Sequence, residues 1–163
     1  MNRIIWLLAV TMCLLCRTEA QQQTKNDSEN WKLYSYASDG FAIVSPQLPL
    51  LTYQGEYTQY RVYWNEETDV VINVSFNRKP VDCSARNAWA KGLVGNVIRV
   101  ITVSGHPALE STGNRNALQS GYTLDQCVDG RVYRFEAGWT LGNPKPPLIE
   151  KVLSSFKVAS QRN

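Results

Sequence analysis

The sequence predicts an α+β fold in which an antiparallel β-sheet meander is flanked by helices. Residues 96–139 contain four apolar runs separated by short breaks with glycine, namely residues 97–103, 106–112, 117–126 and 131–139. Apolar residues recur at helical spacing in two other segments, one beginning at Cys83 and one near Leu148. Short strands joined by tight turns form antiparallel sheets, and we expect both helical segments to pack against this sheet.

The run at residues 131–139 carries the clearest strand signal. Its alternate residues are apolar and fall on one face of a strand: Tyr133, Phe135, Ala137 and Trp139. A period of two places one face in the core and the other in water. Asp129-Gly130 precedes the run and can adopt the positive φ values of a tight hairpin turn.

Four earlier strands are predicted before the meander, at residues 31–37, 41–45, 57–64 and 70–76. The last two pair as a hairpin across the polar turn at residues 65–69. Strict alternation along the third strand places Tyr60, Val62 and Trp64 on one face.

Two helices are predicted. Asp82 caps the first, which runs from Cys83 to about Val94 and directs Trp89 toward the sheet. The second follows the Pro-rich step at residues 143–147, and one face is apolar: Leu148, Ile149, Val152, Leu153 and Phe156.

The amino terminus predicts export. Residues 1–20 combine a basic start, an apolar run and small residues before a cleavage point after Ala20, as in a Sec signal peptide. We therefore expect a secreted or periplasmic protein with a disordered leader at 21–30, one domain at 31–158 and a polar tail at 159–163. No second apolar run is long enough to span a membrane.

Cleavage removes Arg3, Arg17 and Glu19 and leaves 15 basic and 13 acidic residues. This near balance lacks the basic patch that nucleic-acid binding requires. Cleavage also leaves only Cys83 and Cys127. Export favours a disulfide between them, and two separate buried thiols are the alternative.

Candidate catalytic and metal-binding residues are few. His106 is the only histidine, and a turn residue explains it better than a general base. Glu66, Glu67 and Asp69 could assist a weak calcium site, although a solvated turn explains them better. The sequence therefore assigns no catalytic residue, no metal ligand and no cofactor.

Three carboxylates on predicted strands form the remaining catalytic candidate. Glu110, Asp125 and Glu136 could face a common groove as an acid pair, and outward solvated positions explain them equally well. Aromatic side chains are dense before residue 65: Trp31, Tyr34, Tyr36, Tyr53, Tyr57, Tyr60, Tyr63 and Trp64. Core packing is their default role, and a tyrosine-rich partner or glycan surface is the alternative.

The order of several short motifs resembles the PsbP-like domain. The matching segments are residues 36–46, residues 105–111, the hairpin at 129–135, the Pro-rich step and the final residues 153–156. The family includes the photosystem protein PsbP, Mog-type proteins and an exported bacterial branch, to which this chain is most similar. The resemblance implies an α/β/α sandwich and a non-enzymatic accessory role, and it carries over no binding residues.

We therefore expect a small exported accessory or binding protein of unknown ligand that recognises a protein or envelope component through a sheet edge or its tyrosine-rich face. The alternative is an exported hydrolase that acts on an envelope or polysaccharide substrate through the strand carboxylates. A structural role in a larger envelope assembly is a third hypothesis. The sequence does not specify an oligomeric state.

Overall fold

The structure, a computed structural model, describes residues 31–86 and 98–159. In these ranges residues 83–86 are helical, and the chain forms one further helix and ten strands: β1(Lys32–Tyr36), β2(Phe41–Ser45), β3(Leu50–Gln54), β4(Tyr57–Asn65), β5(Val70–Asn77), β6(Ile98–Val103), β7(His106–Asn114), β8(Gln119–Val128), β9(Arg131–Thr140), α1(Pro147–Ser155) and β10(Lys157–Val158).

The strands form two antiparallel sheets. The large sheet has seven strands in the order β3-β4-β5-β9-β8-β7-β6, and the small sheet has three in the order β1-β2-β10. The large sheet is a meander apart from the step from β5 to β9, which places the hairpins β4–β5 and β8–β9 side by side.

The core lies between the two sheets. Phe41 of β2 lies 5.4 Å from the ring of Tyr60 on β4 and 6.3 Å from the ring of Phe156, which directly follows α1. Helix α1 buries Ile149 and Val152 completely. Because the aromatic side chains come from both sheets and from the end of α1, these three elements enclose one apolar layer.

The predicted fold class is wrong. The described part of the chain is a β-rich fold of two packed sheets and does not form an α+β sandwich with helices on the sheet faces. The reason lies in the chain ends. β1 and β2 pair with each other, and β10 joins them from the carboxyl end, so a second sheet occupies the layer expected to be helical. Helix α1 packs beside β2 within that layer.

The predicted strands are confirmed, and two strands were missed. The face of β9 that was expected to be apolar is buried, with Phe135 paired between Val74 of β5 and Leu124 of β8. The missed strands are β3 and the two-residue β10, which lies at the end of the predicted domain. Neither shows a period of two, because every residue of β3 is exposed and β10 is too short.

Tight turns join the hairpins as predicted. Asp129 and Gly130 have φ values of 49° and 78°, and Ser104 and Gly105 have φ values of 50° and 82°. Two consecutive positive φ values match the right-handed twist of the flanking strands.

A β-bulge in β4 overturns the face prediction for Trp64. Arg61 pairs with Asn73 and Tyr63 pairs with Ile72, so Val62 is the extra residue. The bulge reverses the alternation, and Trp64 is 48% exposed on the face opposite to Tyr60.

The first predicted helix begins where expected. Asp82 Oδ1 accepts hydrogen bonds from the backbone N–H groups of Ser84 at 2.8 Å and Ala85 at 3.2 Å. Its continuation to Val94 and the inward position of Trp89 fall outside the described residues, as do the signal peptide, the leader and most of the tail.

The predicted disulfide is confirmed. Cys83 and Cys127 are bonded, with their Cα atoms 5.4 Å apart. The bridge connects the start of the helical segment to β8 across 44 residues of chain. It agrees with an oxidising compartment.

We expect loss of this bridge to destabilise the protein. Closing a loop of this length stabilises the folded state by at most about 4 kcal/mol in the chain-entropy model, which corresponds to a Tm decrease on the order of 10 °C. Thermal unfolding of the wild type and of C83A/C127A, each with and without dithiothreitol, measures the effect. A Tm that is the same for both proteins under both conditions would contradict the prediction.

Candidate functional site

The outer edge of the large sheet exposes a group of apolar side chains. Every residue of β3 is exposed, and β3 is the terminal strand of the sheet. We call this surface the β3 edge and define it by its large exposed side chains, Leu48, Leu50, Leu51, Tyr53 and Tyr57, which are 43–60% exposed. The outer backbone groups of β3 have no partner strand among residues 31–86 and 98–159.

The chain closes the neighbouring edge with polar side chains. Ser45 Oγ donates a hydrogen bond to the backbone carbonyl of Val62 at 2.8 Å. The side-chain amide of Gln47 donates to the carbonyl of Trp64 at 3.0 Å and accepts from its N–H at 3.1 Å. These side chains thus hydrogen-bond the backbone groups at the end of β4, where β3 does not pair with it. The described residues offer β3 itself no comparable cover.

The tyrosines divide between the core and this edge. Tyr36 and Tyr60 pack in the core with ring centroids 4.6 Å apart, and the Tyr60 hydroxyl donates to Asp39 Oδ2 at 2.6 Å. Tyr53 and Tyr57 lie at the β3 edge with ring centroids 4.4 Å apart. The predicted core packing is therefore found for Tyr36 and Tyr60, whereas Tyr53 and Tyr57 contact each other at the surface.

The opposite face of the large sheet is polar. We call it the polar face; it is turned away from the small sheet and carries Arg61, Asn73, Ser75, Ser111, Thr123, Asp125, Arg134 and Glu136, among others. Asp125 accepts two hydrogen bonds from the Arg134 guanidinium, at 2.7 Å and 2.8 Å, and one from Arg86 at 3.0 Å. Arg134 Nη1 lies 4.0 Å from Glu136. This network fixes the start of the helical segment to β8 and β9.

The three carboxylates predicted as a possible acid pair do not converge. Glu110 pairs with Leu124, so it lies on the core-facing side of β7, where it accepts a hydrogen bond from the Tyr122 hydroxyl at 3.0 Å and pairs with Arg99. Asp125 and Glu136 lie on the polar face. The alternation of β8 therefore separates Glu110 from the other two.

The remaining candidates are turn residues. His106 begins β7 directly after the Ser104-Gly105 turn. Glu66 and Glu67 are exposed in the β4–β5 turn, and Asp69 accepts a hydrogen bond from the Gln119 side chain at 2.9 Å. Within the described ranges, no group of three or more His, Cys, Asp or Glu side chains is arranged to hold a metal ion.

A row of three glycines on the polar face was not predicted. Gly113, Gly121 and Gly138 pair in register across β7, β8 and β9. The side chain of Arg115 lies over Gly121 and Gly138, and Gly113 and Gly121 line a cavity of about 290 Å³. Single glycines in three separate strands do not indicate a shared position until the strand register is known. Aligning the strands of the predicted hairpins would have shown that these glycines are neighbours.

No helix in the described part of the chain is both long and apolar enough to cross a membrane.

No family model matches the chain, and no curated protein matches it. Among solved structures, the fold is similar to that of a Bacteroides thetaiotaomicron VPI-5482 protein whose crystal structure was determined at 1.50 Å. The TM-score is 0.51 and the sequence identity is 9%. The match covers 82% of this chain and 50% of that one, so this chain spans about half of its length. At this identity the likeness concerns the fold alone.

We expect the stability of the protein to fall above about pH 10 because of its buried tyrosines. Burial and the Glu110 carboxylate raise the pKa of Tyr122 above its ordinary value of 10.0. A pKa raised in the folded state contributes stability that is complete below the unfolded pKa and is lost as pH rises. Urea unfolding at about pH 9 and about pH 11 should show a smaller loss for Y122F than for the wild type.

The control for this measurement is Y53F, which changes an exposed edge tyrosine and should retain the wild-type pH dependence. An equal loss of stability for Y122F and the wild type would show that Tyr122 does not contribute.

Proposed function

We propose that this protein is an exported, non-catalytic binding module that recognises a partner protein through the β3 edge. The observation that carries the proposal is the fully exposed apolar edge strand. Folded proteins normally protect edge strands with charged residues, proline or a covering element. The β3 sequence, Leu-Leu-Thr-Tyr-Gln, contains neither a charged residue nor proline.

The opposite edge of the large sheet provides a contrast. Strand β6 carries Arg99, which is 68% exposed and pairs with Glu110 of β7. A charge at an edge opposes pairing with another strand because pairing would strip water from it. The large sheet therefore has one protected edge and one unprotected edge.

The shape of β3 defines what the partner would present. The register of β3 shifts between Leu51 and Tyr53, which leaves Leu50-Leu51 and Tyr53-Gln54 as separate pairing segments. A short extended segment of the partner could pair beside Leu50 and Leu51 through main-chain hydrogen bonds. The Tyr53–Tyr57 ring pair would then supply an amphipathic contact beside it.

Catalysis by the strand carboxylates has less support. Glu110 lies on the other side of the sheet from Asp125 and Glu136, and Asp125 is engaged by two arginines. The PsbP-like resemblance implies an accessory role as well, although it also implies helical layers that the described residues lack. Export is supported by the disulfide.

Site-specific photo-crosslinking tests the proposal. A p-benzoylphenylalanine at Leu51 in the mature chain, residues 21–163, should give one dominant covalent adduct in the exported fraction of its own source. The matched control is the same group at Leu118, which is 77% exposed in the β7–β8 connection. We expect no such adduct from that position.

A second substitution distinguishes specific strand pairing from non-specific apolar association. L50K in the Leu51-labelled protein should abolish the adduct, because a charge on the edge opposes strand pairing. The absence of an adduct at Leu51, or the same adducts from both positions, would contradict the proposal. An adduct of twice the chain mass would identify a second copy as the partner.

A further inference from the structure

The bulge in β3 places two apolar side chains on one face of the strand. Leu50 pairs with Arg61 and Tyr53 pairs with Gln59, and both of these β4 residues lie on the polar face. Thr52 is the extra residue between the two pairs. Leu50 and Tyr53 therefore share a face, although regular alternation would place residues three positions apart on opposite faces.

This bulge limits which strand can pair along the whole of β3. Residues that lie opposite each other in an antiparallel pair share a face. A regular strand in register with Leu50 presents the wrong face to Tyr53, because its faces alternate at every residue. A second copy of β3 contains the same extra residue, so it can place its Tyr53 opposite Leu50 and its Leu50 opposite Tyr53. An identical strand is thus in register on both sides of the bulge.

The charges around β3 also permit pairing with an identical edge. No charged residue occurs from Leu48 to Gly55, so two copies meet without like charges near a two-fold axis. Glu56 is exposed in the β3–β4 turn, and Arg61 is exposed beside Leu50. Neither charged side chain forms an ion pair within residues 31–86 and 98–159.

The same register brings these two charges together between copies. Glu56 of one copy reaches the level of Gln47 of the other, and Gln47 is hydrogen-bonded to the backbone of Trp64. Arg61 lies over the ring of Trp64 at 5.7 Å. Two strand spacings, about 10 Å, separate β4 from the β3 strand of the other copy, and the two long side chains can span this gap together. The two-fold axis repeats the pair, so opposite charges meet at both ends of the interface.

We propose that the partner at the β3 edge is a second copy of this chain, and that the two seven-stranded sheets join edge to edge about a two-fold axis at the bulge. This inference rests on the proposed function, because it names the occupant of the same edge. The five large apolar side chains of the β3 edge in each copy, which are 43–60% exposed, would be covered. The area removed from water is on the order of 1,000 Å², which is small for a specific interface, so the dimer should dissociate on dilution.

Analytical ultracentrifugation of the mature chain over about 1–100 µM tests the proposal. The wild type should show a reversible equilibrium between monomer and dimer. L50K should weaken dimerisation at least about tenfold, because the two-fold axis introduces the charge twice into one interface. An unfolding curve of L50K that matches the wild type establishes that the loss is local to the edge.

Charge reversal tests the contact between Glu56 and Arg61 of different copies. E56R and R61E should each weaken dimerisation about tenfold, since each places like charges at both ends of the interface. The double variant E56R/R61E restores opposite charges and should recover most of the wild-type affinity. The matched control is K157E, which reverses an exposed lysine beside β6, at the other end of the large sheet. K157E should dimerise as the wild type does.

Three results would overturn the proposal. One is a wild type that remains monomeric at every concentration. Another is a dimer that L50K leaves intact, which would place the contact on a different surface. The third is an equal effect of R61E and K157E without recovery in E56R/R61E, which would indicate a dependence on net charge alone.

Photo-crosslinking from Leu51 separates the failure of this inference from the failure of the proposed function. A monomeric chain that gives one dominant adduct with a different protein would overturn the second copy as the occupant and retain the β3 edge as the binding surface. A monomeric chain that gives no adduct would contradict both.

Discussion

Burial of one face of the large sheet by the small sheet and α1 is the constraint on which the rest of the structure depends. Phe135 lies at the centre, fully buried, with Tyr122 and Phe156 as ring neighbours at 6.2 Å and 6.0 Å. Aromatic side chains of this size contribute much of the apolar area that a core of one layer can bury. Polar groups in this layer include the Tyr133 hydroxyl, which donates to the carbonyl of Asp39, and Gln126, whose Nε2 donates to the carbonyl of Val103 while its Oε1 has no partner among the described residues.

With the core confined to one side, the other face of the large sheet is free to be polar. The ion pairs of Asp125 and the glycine row lie there, and their side chains have no part in the apolar layer. The β3 edge borders the polar face, since Leu50 pairs with Arg61 and Tyr57 pairs with Asn77, and every residue of β3 is exposed. The core, the polar face and the β3 edge therefore differ in the chemistry of their side chains.

Much of the strand pattern follows from the sequence because it depends on local alternation and turn chemistry. The alternation in β9 and the Asp129-Gly130 turn need no information about distant residues. The fold class does depend on distant residues, since β10 from the carboxyl end joins β2 to complete the small sheet and both sheets must pack together. Trp64 changes face because of one extra residue in β4, which alternation alone does not reveal.

The candidate sites were hidden for similar reasons. The exposed leucines of β3 lack periodicity because no face of that strand is buried. Glu110 and Asp125 were grouped by residue type, whereas their odd separation of 15 positions said little until β7 and β8 were in register. Register decides which side chains share a surface, and it is set by pairings that composition does not encode.

The closure of the small sheet has a consequence for the order of folding. Ser155 Oγ accepts a hydrogen bond from the Val44 N–H at 2.8 Å, across 111 residues of chain. The backbone edge of β2 that faces α1 and β10 therefore gains its neighbours only after nearly the whole domain has emerged. Contacts of such sequence separation slow folding, because the loop entropy is lost before the contacts form. Under the export proposed above, this delay would keep the core incomplete until the last strand arrives.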